Sequence, residues 1–418
     1  MTPDPDVLVV GGGVIGCAVA YELAKRSVQV TLLDKSMPGR ATSASAGGLW
    51  PVGEAVGLGC GVIYHRSNTN GDPTGMKDEH VAVLPDVFRD YLVRSNDAFP
   101  SLAEELMELS GIDIEYEPRA GLLFLIYQEE DQAYVDHIVR SLPTNARPEF
   151  LSAKEAREIE PQLTLDLAGA ARLVGEHQVN PMLLAEAYKR AAMRLGAVVR
   201  HDAHVTGLHR RNGRIEGVQL GPKLITADSV VNAAGCWSQE LAATAGLQVP
   251  VFPVRGQIVL TETLGHALKT CLSTTGCYMV QKAHGEVLIG STTEKVGFDV
   301  SVTPEAITRL CHASIRAVPM LSRVGIKRVW AGLRPGTPDE LPVLGSVDEV
   351  SGYYNATGGF RTGIVAAPLT ARVVAQCVTG EATEVDISPF LASRFGATAG
   401  SRTPTAAQVT SECRSNMR

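Results

Sequence analysis

No two cysteines stand at CxxC spacing anywhere in the 418 residues, and no Cys/His set has metal-ligand spacing. The eight cysteines are scattered from Cys17 to Cys413. That pattern favours reduced thiols in a cytoplasmic protein and argues against an iron–sulfur cluster or a zinc held by this chain alone. Positive charge is not in excess either: the net charge is −7, so the composition offers no nucleic-acid surface. No stretch reaches the roughly 20 apolar residues of a membrane span. The short apolar run near the N-terminus follows two acids and does not read as a signal peptide. Internal repeats are absent. What is present, 45% hydrophobic and 20% charged residues, describes an ordinary globular protein, and the length predicts two domains.

The most informative stretch ends at Asp34. An apolar run, Asp6–Val10, leads into Gly11-Gly12-Gly13-Val14-Ile15-Gly16. An amphipathic stretch, Cys17–Arg26, and a second apolar run, Val28–Leu33, follow before the acid. Strand, glycine turn, helix, strand and acid make the dinucleotide fingerprint in its required context. Gly11 permits the tight turn, Gly13 lets a pyrophosphate approach the backbone, and Gly16 lets the helix pack on the strand. A helix N-terminus there favours negative charge. Asp34 lies 18 residues after Gly16, a spacing that suits an acid bonded to a ribose hydroxyl.

Beyond Asp34, residues 38–50 and 53–61 are rich in glycine and small residues, as in a loop wrapping a flat, bulky cofactor. Residues 65–80 read as a polar surface excursion. Helical spacing appears over 85–110, paired strands are expected at Ile114–Glu117 and Gly121–Tyr127, and a helix from Glu129 to Arg140. Ser152 with Glu155 predicts a capping box, and Asn180-Pro181 opens a helix from Met182 to Leu195. Ser229–Ala234 is an apolar strand ending in Gly235, a second place where a sheet edge meets a glycine. Residues 251–330 suggest an antiparallel sheet with a helix over Pro304–Val318. Near the end come a strand at Gly352–Ala356, a turn at Thr357-Gly358-Gly359 and a helix over Thr362–Val378. The tail from Ala397 has little apolar content and is expected to be disordered.

That late strand–glycine–helix unit decides between cofactors. A simple nicotinamide domain is completed by consecutive βαβ units, whereas FAD is long enough to need both ends of the chain. The predicted fold is α/β: a Rossmann-like FAD-binding domain from 1–84, 151–245 and 329–395. A second, α+β substrate domain on a mostly antiparallel sheet takes 85–150 and 246–328, leaving 396–418 as the tail. Arg361 at the late helix entry and Arg334 in a glycine-flanked run are candidates to clamp a substrate carboxylate. Glu54 and Asp339 are the acids that would instead neutralise them.

Five stretches carry a resemblance: the turn at 11–16, Thr42–Gly48, Asn232–Trp237, GLRPGTPD at 332–339 and GGFRTGI at 358–364. They resemble the D-amino-acid oxidase/glycine oxidase superfamily of FAD enzymes. SAGGLW (45–50), GEAVGLGCGVI (53–63), IGSTTEKVGFDVSVT (289–303) and PDELPVLG (338–345) are similar, within it, to the cyanide-forming glycine dehydrogenases. The resemblance implies FAD contacts from Val14, Ile15, Asp34, Lys35, Ala41, Thr42, Ala46, Gly47 and Gly48, and from Val205 at the adenine. Gly359, Phe360, Thr362, Gly363 and Ile364 would line the isoalloxazine. Arg361, Arg334 and Tyr278 match the substrate-binding arginines and tyrosine, with Arg361 expected to clamp the carboxylate, Arg334 and Tyr278 to act as secondary donors, and Trp50, Gly276 and Thr293 to shape the pocket. Gly276 stands where glycine oxidases carry a histidine, and Thr293 where they carry a methionine.

The implied activity is hydride transfer from a small amino acid, glycine first, to the flavin, with cyanide and carbon dioxide as products. Alternatives are a D-hydroxyproline, proline or opine dehydrogenase subunit, or a stand-alone oxidase making hydrogen peroxide. The implied partners are a small subunit with a 2Fe–2S cluster and a second flavoprotein subunit. Any FMN or iron–sulfur cluster would belong to them. The expected location is cytoplasmic, with membrane contact only through such a complex.

Overall fold

The computed structural model describes residues 5–59, 83–119 and 121–396. The expected surface excursion at 65–80 and the tail from Ala397 lie outside the described residues.

Two large sheets organise the chain. The first, of nine strands, has five parallel neighbours that run out to one edge in the order Val350–Thr357, Ser229–Asn232, Val7–Val10, Val30–Leu33 and Val198–Arg200. Val7–Val10 and Val30–Leu33 are buried at every residue, as strands covered on both faces must be. Helix Val14–Lys25 packs against helix Pro181–Arg194. Ala18, Ala20 and Ala24 on one and Ala187, Ala191 and Ala192 on the other are all buried. Small side chains there let the helices approach closely. The second helix is started by Asn180, whose side chain accepts from the Met182 and Leu183 amides at 3.1 and 3.3 Å. Ser152 and Glu155 form the expected capping box.

The second sheet, of eight strands, runs Ile326–Gly336, Phe252–Thr261, Val287–Gly290, Tyr278–Gln281, Cys271–Ser273, Leu122–Ile126, Gly169–Leu173 and Glu149–Ser152. Only Cys271–Ser273 against Leu122–Ile126 is parallel. Helix Pro304–Ala317, capped by Thr303, lies against it. One buried cluster includes Val9 of the first sheet, Trp50, and Tyr278 and Val280 of the second, so the sheets share a core.

Three expectations are corrected. Ile114–Glu117 is not a strand: Pro118 follows it, and only an isolated bridge joins Glu117 to Gln178. Leu122–Ile126, fully buried, instead takes neighbours on both sides. The last helix begins at Ala367 rather than Thr362. Pro368 has no amide hydrogen and is tolerated in the first turn, not in a helix interior.

Strand membership also crosses the expected domain limits. Residues 149–173 and 326–336 pair in the second sheet. Helices Asp86–Asn96 and Phe99–Ser110 lean on the first unit. Tyr91 Oη bonds Thr370 Oγ1 at 3.0 Å, and the Leu369 amide donates to Ser95 Oγ at 3.1 Å. Non-local pairing and helix docking, which local composition does not encode, decide these assignments.

Candidate active site

The glycine turn at 11–16 is built by close approach. Gly11 has φ +112°, and a Cβ there would lie 2.3 Å from the Ala233 carbonyl oxygen. A Cβ on Gly16 would lie 1.8 Å from the Gly11 carbonyl oxygen, so this glycine packs beneath the turn. Gly12, which the motif reading passed over, faces Asp34: its amide donates to Oδ1 at 3.1 Å, and a Cβ would meet the carboxyl carbon at 2.6 Å. Ser36 and Arg40 donate to Oδ2 at 3.2 and 2.8 Å. Burial alone would raise this carboxyl, but the Gly12 and Ser36 bonds and the Arg40 charge outweigh it and hold the pKa below the ordinary value. Thr42 Oγ1 accepts the Val14 amide at 2.9 Å, tying the small-residue loop to the helix start.

A cavity of about 510 Å3 runs past this turn. It brings Asp34, Lys35 and Val205 into one lining with Trp50, Tyr278, Arg334 and Arg361. Every residue expected to touch the cofactor or substrate or to shape the pocket lines it except four. Gly16 packs beneath the turn, and Thr362 closes the late turn by donating Oγ1 to the Gly359 carbonyl at 3.0 Å. Gly276 sits in a turn whose amide donates to Thr274 Oγ1 at 2.9 Å and faces Ala313 of the neighbouring helix, not the cavity. Thr293 is buried and outside the lining. Its chain neighbours are committed elsewhere: Thr292 accepts the Gln257 amide and Glu294 pairs with Arg255.

The two arginines are held differently. Arg334 points its fork at neutral acceptors, donating Nη1 to the Thr292 carbonyl at 3.1 Å and Nη2 to Ser291 Oγ. Glycines clear its space. A Cβ on Gly256 would lie 2.3 Å from Arg334 Nη1, and one on Gly290 would lie 2.4 Å from Tyr278 Oη. Gly256 and Gly290 were missed in the sequence, although glycine inside a strand signals close approach. Trp50 meets Tyr278 edge-on, with ring centroids 5.4 Å apart, and is itself only 2% exposed.

Arg361, by contrast, lies between two acids. Nη2 donates to Glu340 Oε2 at 2.9 Å, and Nε stands 3.6 Å from Glu54 Oε2. All three side chains are buried or nearly so. Glu54 is thus a neutralising acid as one reading had it; Asp339 is not, because it binds Arg394 at 2.7 and 3.1 Å. Glu340, one residue on, takes its place. Behind Glu54, Glu176 accepts the Val52 and Gly53 amides at 3.0 and 3.2 Å. Its burial pushes the carboxyl well above the ordinary range.

Glycines at 11, 12 and 13, whose added Cβ atoms would meet backbone, Asp34 and Thr42, leave a backbone cradle of the kind a dinucleotide phosphate requires. The chain matches the family model described as FAD dependent oxidoreductase over residues 6–377. It belongs to the DAO family. It is 44% identical to hydrogen cyanide synthase subunit HcnC of Pseudomonas protegens over 401 residues, 93% of this chain and 96% of that one. Glycine oxidase of Geobacillus kaustophilus is 32% identical over 94% of this chain and 98% of its own. The crystal structure of glycine oxidase from that organism superposes with a TM-score of 0.80, covering 93% of this chain and 98% of that one. This DAO-family chain is an FAD-dependent oxidoreductase. Among the described residues no helix is long and apolar enough to cross a membrane.

Proposed function

We propose that this enzyme oxidises a small amino acid, glycine as the preferred substrate, and forms cyanide as the flavin-bearing subunit of a hydrogen cyanide synthase. The observation that carries the reading is the fork of Arg334, held by uncharged acceptors beside Tyr278 in the cofactor cavity. The 44% identity to the cyanide synthase subunit, against 32% to glycine oxidase, supports the cyanide branch.

Among the described residues no acid pairs with Arg334, and a guanidinium so placed keeps its charge for a carboxylate, which it takes in a two-pronged geometry. Arg334, rather than Arg361 as the sequence led us to expect, is therefore the main carboxylate ligand, and Tyr278 Oη is the second donor. Arg361, balanced by Glu54 and Glu340, holds the Phe360 turn in place. Trp50 bounds the pocket and limits the substrate side chain. FAD, held by the glycine turn at 11–16 and the run at 358–364, would supply the acceptor for the hydride that leaves the substrate α-carbon. The chain's own work is to hold that carbon still, which replaces a bimolecular encounter by an oriented one. The amine must be neutral to release hydride, so the rate rises with pH as the substrate deprotonates. Glycine to cyanide and carbon dioxide releases two hydrides and two protons, and the carboxylate leaves as carbon dioxide. The electrons pass to partner subunits, a 2Fe–2S protein and a second flavoprotein.

The test is anaerobic bleaching of the flavin absorbance by a panel of amino acids, with cyanide measured for each. Bleaching by glycine with release of cyanide is expected. Bleaching by proline, hydroxyproline or an opine without cyanide would move the enzyme to a sister dehydrogenase. Peroxide at full rate from the isolated chain would make it an oxidase.

A further inference from the structure

We infer that Lys282 is a positioning residue for the cofactor: its ammonium ties the small-residue loop at Ala46–Gly48 to the strand that carries Tyr278. Lys282 directly follows strand Tyr278–Gln281. Its Nζ donates to the Ala46 carbonyl, and to the Val179 carbonyl and Gln178 Oε1 at 3.2 Å each. Ala46, Gly47 and Gly48 line the cofactor cavity; Gln178 and Val179 do not. Those two segments already meet backbone to backbone. The Val179 amide donates to the Gly47 carbonyl at 2.9 Å, and Gly48 and Leu49 pair with Gln178 and His177. Gly47, at φ +78°, has no room for a Cβ, which would stand 2.1 Å from the Val179 carbonyl oxygen. Three acceptors thus converge on one point, and an ammonium is the side-chain group with three donors to meet them.

The arrangement is costly as a mere packing device. Taking an ammonium out of water is expensive, and none of the three acceptors is a carboxylate. Nearby charges are engaged elsewhere. Glu117 accepts from Arg119 and, at 2.6 Å, from Gln178 Nε2. Glu115 accepts from Asn180 Nδ2 at 3.1 Å and lies 3.4 Å from His284 Nε2. Arg119 also donates to the Gln281 carbonyl at 2.8 Å. On the adjoining strands, burial raises the Cys271 thiol to about 11 and lowers His177, so both are neutral near pH 8, and burial pushes the Glu176 carboxyl well above its ordinary range. Burial likewise lowers Lys282 to about 8, despite the opposing pull of Cys271, Glu115 and Glu117.

The sign of the pH effect separates positioning from general stability. Between about pH 8 and the ordinary lysine value, the folded chain binds fewer protons than the unfolded one, so this group makes folding more favourable as pH rises. Cofactor retention should move the other way, because the neutral amine donates more weakly and has one donor fewer.

The experiment measures FAD dissociation from the holoenzyme by the fluorescence of released flavin, from about pH 6 to about pH 10. Wild type should lose affinity through about pH 8 while its melting temperature does not fall in step. Lys282→Met should raise the FAD dissociation constant about tenfold or more at neutral pH, the worth of one charge-assisted hydrogen bond. Lys282→Arg, charged throughout, should keep near-wild-type affinity at neutral pH and lose the step. A Lys282→Met protein with wild-type affinity and profile overturns the inference. So does a step that persists in Lys282→Arg, which settles the matter even if the methionine variant fails to fold. Both readouts are independent of which amino acid is oxidised.

Discussion

The two arginines near the late glycine turn have the same side chain and opposite surroundings. Arg334 meets a carbonyl and a hydroxyl; Arg361 meets two carboxylates. The first retains a net positive charge toward the cavity, while the second belongs to a cluster with an excess of one negative charge when both acids are ionised. Chemistry depends less on a residue's type than on what already neutralises it. A guanidinium fork is available to a substrate in proportion to how little the protein itself has claimed it.

The sharpest way to break this comparison is Arg334→Ala. Losing a two-pronged charged contact of about 4 kcal/mol should lower kcat/KM for glycine roughly a thousandfold. The flavin spectrum should stay unchanged, as a steady-state assay on reconstituted enzyme would check. Arg361→Met should act on the fold instead. It removes the guanidinium from between the buried Glu54 and Glu340 and should cost about 3 kcal/mol of stability, read from denaturant melts. If the order reversed, with Arg361→Met the poorer catalyst and Arg334→Ala the less stable protein, the assignment would be exchanged.

Gly256→Ala tests the clearing around Arg334 with a smaller expected effect. Its Cβ must push Nη1 away from 2.3 Å, an overpacking worth about 2 kcal/mol, or roughly thirtyfold in kcat/KM. FAD affinity should be preserved. The smallest effect belongs to the other end of the cavity. Asp34→Asn should weaken FAD about tenfold, as expected for losing charge from a polar contact, and leave the KM for glycine alone. Because the Asp34 carboxyl is held below its ordinary value, its stabilisation is present above that value and lost as pH falls through the folded one. The stability gap between wild type and Asp34→Asn should therefore close in acid, which melts at descending pH would show.

The same contrast separates what could be read from the chain and what could not. The Asp34 end was legible because everything it needs is local: a strand, three glycines, a helix and an acid within one βαβ unit. Even there Gly12 and Arg40 went unremarked, since their role is visible only once the Asp34 carboxylate has a position. At the other end Arg334 and Arg361 were candidates from their glycine-flanked runs, Tyr278 and Trp50 only through a family resemblance, and the fold brings all four to one cavity. The same resemblance placed Gly276 and Thr293 in the pocket, and neither lines the cavity. Gly276 packs on a helix whose approach depends on the whole second sheet.

Local order is written in short-range patterns, and those the sequence determined alone. They include the glycine turn with its acid, the caps at Ser152 and Asn180, and the apolar runs that had to be buried strands. Tertiary structure decided which acid answers which arginine. Glu340 rather than Asp339 reaches Arg361, and a fully buried Leu122–Ile126 sought its partners far along the chain. The physical reason is range. Backbone geometry and periodicity act over a few residues, whereas neutralisation requires groups within about 4 Å of each other, a distance set only when both sheets are packed.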